Sequence, residues 1–249
     1  MSGHIPAATA GELTASPARR AELAANLAEV RARIDAACAE AGREPGEVRL
    51  VAVTKTFPAS DAAALAGLGQ LDLGENRDQE AAPKAAALRA AGIGATWHYI
   101  GQLQRNKAKS VAAYAGLVQS VDRPQLVKAL ADAAGRLGRE PLGVLLQLSL
   151  DGDTERGGVA GADLDALVDS VTSRPELALR GVMAVAPLGW APDKAFEQVA
   201  ALSERVRRTV PEAVEISAGM SGDFTRAIVF GATLVRIGAI LLGSRSDLG

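Results

Sequence analysis

Between Val48 and Gly243, short runs of apolar and β-branched residues alternate with longer stretches whose apolar residues recur at helical spacing. The short runs are VRLVAVT, LDLGEN, WHYIG, LVQSV, LGVLLQLSL, LALRGVMAV, AVEISAG and LVRIGAILLG, eight in all. A run such as VLLQLSL, apolar on nearly every residue, suits a strand covered on both faces, as in parallel sheets. Parallel strands need crossovers, and the intervening stretches, RDQEAAPKAAALRAAG and RPQLVKALADAAGRLG among them, have the length and period of helices. Eight such βα units in about 200 residues predict an α/β fold, a (β/α)8 TIM barrel. A doubly wound open sheet is the alternative, because strands such as LDL are weak.

One extra helix is predicted ahead of the first strand. Ser16 is a helix N-cap, Pro17 suits the first helical position, and Leu23, Leu27, Val30, Ile34 and Cys38 follow at helical spacing up to Gly42. Residues up to about Ala15 read as a flexible tail, and 16–249 as a single domain without an internal repeat or linker. The start of the chain lacks a basic segment followed by an apolar core, so it is not a secretory signal. No apolar stretch of about twenty residues exists to span a membrane. Lys and Arg number 27 against 29 Asp and Glu, a net charge of −2, so there is no global basic field for nucleic acid or acidic membrane. Aromatics at 3% argue against base-stacking platforms. The single cysteine, Cys38, excludes an internal disulfide and a cysteine metal cluster and fits a reducing cytoplasm; a packing role is expected for it.

In a barrel of this kind, function sits at the C-terminal ends of the strands. Read in order, those ends carry Lys55, then Glu75 and Asn76, His98 with Gly101 and Gln102, DGDTERGG, MAVAPLG, SAGMSGDF and RIGA. A lysine at a strand mouth is either a solvated end or a working amine. The Gly- and Ser-rich SAGMSGDF opens a helix, so Gly219, Ser221 and Gly222 could join the RIGA backbone in a phosphate cup, or simply form a capped helix with a glycine turn. Arg236 among apolar neighbours needs a partner, either a core ion pair or a ligand. His98 reads as a satisfied packing residue, Lys107 and Lys109 as a solvated helix face, and DGDTE as a loop acid cluster lacking a cation-loop spacing. Lysine, phosphate cup and arginine together match the aldehyde, phosphate and ring nitrogen of pyridoxal phosphate. A lysine-dependent aldolase acting on a phosphosugar would share two of the three, and the residues alone do not separate the two.

The motifs AVTKTFP, GENRDQE, WHYIGQLQRNK, MAVAP, SAGMSGDFTRAI and GATLVRIGAILLGSR, in that order from about Val48 to Arg245, resemble the pyridoxal phosphate homeostasis protein family, whose members are also labelled YggS-like or proline synthase co-transcribed homologues. The resemblance implies the barrel of the alanine racemase N-terminal domain. It also implies pyridoxal 5′-phosphate held as a Schiff base on Lys55, and a part in balancing free cofactor and amino-acid pools without robust catalysis. By motif, Met220, Ser221, Gly238 and Ala239 would line the phosphate cup, Arg236 would face the pyridine nitrogen, Asn76 and His98 would lie near the ring, and Ser217 is a weaker candidate. The implied partners are the cofactor and the apo-enzymes that receive it, with no nucleic acid and no membrane, the chain being a cytoplasmic monomer or weak dimer. Three departures bear on cofactor transfer: Phe57 stands where the family often has a second lysine, TERGG replaces a SKSG-like stretch so that Arg156 stands in place of a mobile lysine, and Ala239 lacks a hydroxyl. The competing readings are an amino-acid racemase-like enzyme and a scaffold that binds partners through the first helix. Racemases of the related fold add a β domain with a catalytic tyrosine, and this chain, with only Tyr99 and Tyr114, ends soon after the last strand.

Overall fold

A computed structural model describes residues 13–153 and 155–243. Residues 1–12 of the expected tail, Thr154 of TERGG, and Ser244 and Arg245 of the last motif lie outside the described residues. The first half runs α1 (Pro17–Glu40), β1 (Arg49–Val53), α2 (Ala59–Gly67), β2 (Asp72–Glu75), α3 (Asp78–Ala90), β3 (Thr96–Tyr99), α4 (Ala108–Tyr114), β4 (Ala115–Val121), α5 (Pro124–Leu137) and β5 (Leu142–Ser149). The second runs β6 (Val159–Ala160), α6 (Leu164–Thr172), β7 (Leu177–Ala184), α7 (Pro192–Thr209), β8 (Glu215–Ser217), α8 (Phe224–Val229), β9 (Leu234–Ile237) and α9 (Ala239–Leu242).

Every strand pairing is parallel, in the order β4-β3-β2-β1-β9-β8-β7-β5, and β4 pairs with β5 to close the cylinder. That last pairing, Leu117 against Gly143 and Val118 against Val144, makes the chain a closed (β/α)8 barrel rather than an open sheet. The two-residue β6 was not expected; it extends the β5 ladder at Leu148 and Ser149, beyond the last β4 pair at Val121 and Leu146. Alternate residues of a strand face opposite sides. Val51, Leu117, Leu145, Met183 and Leu234 meet inside the cylinder as one buried layer, so the interior is packed rather than open.

The leading helix has a structural reason. The final helices α8 and α9 have only six and four residues, too short to cover the outer face of β9 and β1. The 24-residue α1 covers it, with Leu23, Leu27, Val30, Ile34 and Cys38 all buried against β1, α2, α8 and β9. Burial at this level is worth roughly 1.5–3 kcal/mol for each large apolar side chain. Ser16 caps α1 by accepting from the Arg19 N–H at 3.2 Å, and Leu13 and Ala15 pack onto the same cluster. Arg19 ties three elements together: Nε and Nη2 donate to the buried Asp61 carboxylate of α2 at 3.1 and 2.7 Å, and Nη2 donates to the Leu242 carbonyl of α9 at 2.8 Å. Hydrogen bonds to charged groups contribute about 1.5–3 kcal/mol. In a chain of this size each kcal/mol moves the melting temperature by roughly 2–4 °C. Arg19→Ala should therefore lower Tm by about 3–12 °C in calorimetry; an unchanged Tm would show that Arg19 does not tether α1.

No helix of the described residues is long and apolar enough to cross a membrane.

Candidate functional site

Lys55 lies two residues past the end of β1, half-buried, in a turn that spans Thr54 to Phe57 and is closed by the Phe57 N–H donating to the Thr54 carbonyl at 3.2 Å. Thr54 is fully buried, and its hydroxyl donates to Glu75 Oε1 at 2.7 Å at the end of the neighbouring β2. Asn76 follows Glu75. The chain after β3 passes so close to it that a Cβ on Gly101 would fall 2.1 Å from the Asn76 carbonyl oxygen, which is why only glycine fits there. On the other side of β1, Ala52 pairs with Ile237 and Val51 with Arg236, so the Gly238–Ala239 turn comes against Val53, with a Cβ on Gly238 placed 3.4 Å from Val53 Cβ.

Arg236 shares the inward parity of Leu234 and is buried at 5% exposure. Its Nη1 donates to the Ser217 carbonyl at 2.8 Å and the Ser217 hydroxyl at 2.7 Å, and its Nη2 donates to the Ala184 carbonyl at 2.8 Å. The core ion pair is not the arrangement found: among the described residues no carboxylate lies within ion-pair distance of this guanidinium. Burial pushes its pKa down to about 10, with a small opposing effect from Asp223, so it is still a cation at neutral pH.

From Ser217 a chain of hydrogen bonds crosses the barrel interior. The Ser217 hydroxyl donates to Gln119 Oε1 at 2.7 Å, Gln119 Nε2 lies 2.9 Å from His98 Nδ1, and His98 Nε2 lies 2.7 Å from Asp72 Oδ1. A carboxylate only accepts, so His98 Nε2 carries the proton and Nδ1 accepts from the Gln119 amide. Every bond from Arg236 to Asp72 then runs in one direction. Burial works to raise the Asp72 carboxyl, but the His98 bond and the Arg49 guanidinium outweigh it and hold it below the usual carboxylate range. Arg49 in turn donates to Glu215 at 2.5 Å, linking the first residues of β1 and β8. His98 is thus a satisfied interior residue, linked to Arg236 through two intermediaries.

The other candidates sit on the rim. Gly219 accepts the Arg236 N–H at 3.0 Å, which folds the SAGMSGDF loop back over β9. Met220 is 42% exposed, and its N–H donates to Asp223 Oδ1 at 2.7 Å. Ser221 is half-buried and Ala239 exposed. The helix after this loop runs only from Phe224 to Val229, shorter than its sequence suggests, because Gly231 turns the chain at positive φ toward β9. Phe57 is a packing residue, 7% exposed with the Arg19 guanidinium over its ring. Arg156 pairs with both Asp151 and Asp153, so the acid cluster of that loop is spent on its own arginine. Lys107 lies 3.8 Å from Asp78 and is not wholly solvated.

Sequence reasoning missed Gln119, Asp72, Lys84, Glu80 and the part played by Glu75. Gln119 left a usable signal, a lone amide sharing the inward parity of Leu117 in a largely apolar strand; Lys84 left none, since in a helical stretch it reads as a surface lysine.

The family described as alanine racemase, N-terminal domain, matches residues 22–246. The pyridoxal phosphate homeostasis protein of Mycobacterium leprae (strain TN) is 45% identical over 240 residues, covering 90% of this chain and 93% of that protein. The chain belongs to the pyridoxal phosphate homeostasis protein family. Among solved structures, PipY of Synechococcus elongatus PCC7942, determined with pyridoxal phosphate bound, is 34% identical with a TM-score of 0.78, covering 89% of this chain and all of PipY. Alanine racemase from Corynebacterium glutamicum shares the fold at a TM-score of 0.68 and 16% identity, over 90% of this chain and 61% of the racemase. For a member of the homeostasis family, the buried Arg236 is the residue that best tests the fit to the family's cofactor. A cation held only by neutral acceptors suits a ligand that brings a lone pair or a negative charge.

Proposed function

We propose that this protein binds pyridoxal phosphate as a Schiff base on Lys55 and serves in the balance of the free cofactor rather than in its own turnover. When bound, the cofactor supplies an aldehyde for the lysine, a phosphate and a ring nitrogen. Arg236 would meet the ring nitrogen, with Asn76 and His98 on the ring's side of the barrel. Met220, Ser221, Gly238 and Ala239 would receive the phosphate, while Ser217, at the end of β8, would act through the Arg236 guanidinium that its carbonyl and hydroxyl hold. The observation that carries this reading is Arg236, a buried guanidinium without a counter-ion, on the strand next to the one that leads into Lys55. The homeostasis relatives' name and the cofactor in PipY support it. Delivery of the cofactor to apo-enzymes in the cytoplasm, by a monomer or weak dimer, completes the proposal.

Purified protein incubated with pyridoxal phosphate and freed of excess should be yellow. Borohydride should bleach the colour and leave the cofactor on one tryptic peptide, that of Lys55. Recovery of the label on Lys84, Lys107 or Lys109 instead would defeat the assignment.

A further inference from the structure

Helix α3 carries Glu80 and Lys84 four residues apart, hence on one face. Both reach the turn that holds Lys55. Glu80 Oε2 accepts the Thr56 N–H at 2.9 Å, and Lys84 Nζ donates to the Thr54 carbonyl at 2.8 Å. The peptide groups on either side of Lys55 are therefore each gripped by a charged side chain of the same helix. Lys84 is 8% exposed and is itself anchored to Glu75 Oε1 at 2.7 Å, the oxygen that also takes the Thr54 hydroxyl.

Thr56 shows what the grip does. Its φ is +70°, and it is the only non-glycine residue at positive φ among the described residues. It occupies the third position of the Thr54–Phe57 turn, where a positive φ ordinarily calls for glycine. A β-branched residue enters that region only when its surroundings over-determine the backbone. Glu80 supplies the acceptor on the strained residue, Phe57 is buried on the following side, and Lys84 holds the preceding carbonyl.

We propose that Glu80 and Lys84 are positioning residues for Lys55, holding its turn in a strained conformation that fixes the direction from which the amine meets the cofactor's aldehyde. The inference rests on the reading of Lys55 given above. In the step concerned, the neutral Nζ adds to the aldehyde carbon, the C=N bond replaces C=O, and the carbonyl oxygen leaves as water with the two amine protons; nothing is oxidised or reduced. A fixed approach removes the orientational freedom that otherwise opposes bond formation.

The test compares two ligands on the full-length apo-protein: pyridoxal phosphate, and pyridoxine phosphate, which keeps the ring and phosphate but has no aldehyde. Glu80→Ala should weaken pyridoxal phosphate about tenfold, the scale of one hydrogen bond to a charged group, and leave pyridoxine phosphate within about twofold. Glu80→Gln keeps an acceptor oxygen and should restore most of the loss. Thr56→Gly relieves the strain, so it should raise Tm while weakening pyridoxal phosphate selectively by a similar factor. A structural role alone does not predict a variant that is more stable and binds the aldehyde less well. Lys84→Met strands Glu75, so its partner is the double variant Glu75→Gln with Lys84→Met, which should show the same selective loss. Variants that bind both ligands as the wild type does, or lose both equally, overturn the proposal. If the wild type gives no borohydride-fixed label on Lys55, the reading of Lys55 has failed as well, and that outcome is seen without any variant.

Discussion

Lys55→Ala should lose the visible colour entirely and nearly all of the stabilisation that pyridoxal phosphate confers. In the proposed binding mode the replacement removes the atom that would join the cofactor covalently, while leaving the Ser221 loop, the Gly238–Ala239 turn and Arg236 in place. Weak binding through the phosphate and ring should persist. With free cofactor at 100 times its dissociation constant, the wild type gains about 2.7 kcal/mol. That corresponds to a rise of roughly 5–10 °C in Tm for a chain of this size. If the covalent link accounts for about 100-fold in affinity, the variant at the same concentration is only half-saturated and gains about 0.4 kcal/mol, a rise of roughly 1 °C. Differential scanning calorimetry with and without cofactor reads both numbers. Equal rises in the two proteins would place the covalent link elsewhere.

Alanine incubated with the cofactor-loaded protein should keep its configuration, and its α-hydrogen should exchange with deuterated solvent only in traces. Arg236 is the first reason. It is protonated at neutral pH even with its pKa lowered by burial to about 10, and, placed at the pyridine nitrogen as proposed, it would discourage that nitrogen from taking a proton of its own. A ring that stays unprotonated draws charge away from the α-carbon poorly. Racemisation also needs a base on each face of that carbon, and Lys55 could serve one. Neither tyrosine is suited to serve the other: Tyr99 is 3% exposed and burial pushes its hydroxyl up to about 12, while burial and the nearby Asp78 raise Tyr114 further still. One well-placed general base is worth about 10²–10⁴-fold in rate. Turnover on the order of 10 per second, typical of enzymes, that vanished in Lys55→Ala would establish the racemase reading instead.

The eight strands, the helices between them, the capped leading helix, and the gathering of Lys55, Asn76, Ser221 and Arg236 at strand ends were all legible from residue order. These are local signals: periodicity of two or 3.6, an N-cap serine followed by proline, glycine at turns. Each is decided by residues within a few positions of one another. The barrel's closure follows, in the sequence, from a count of strands and from the family resemblance; the β4–β5 pairing makes it a fact. What surrounds Lys55 and Arg236 was hardly legible, Gln119 alone leaving a signal in its strand. Gln119 meets Ser217 across 98 residues of chain, His98 meets Asp72 across 26, and Lys84 meets Thr54 across 30. No spacing rule encodes such contacts, because which side chains face each other inside a cylinder depends on strand register and on closure of the whole ring. Arg236 shows the division most plainly. Its burial follows from its apolar neighbours in LVRIGA. That its partners are two carbonyls and a hydroxyl rather than a carboxylate, so that a buried cation is left for a ligand to answer, was decided only when β7, β8 and β9 came together.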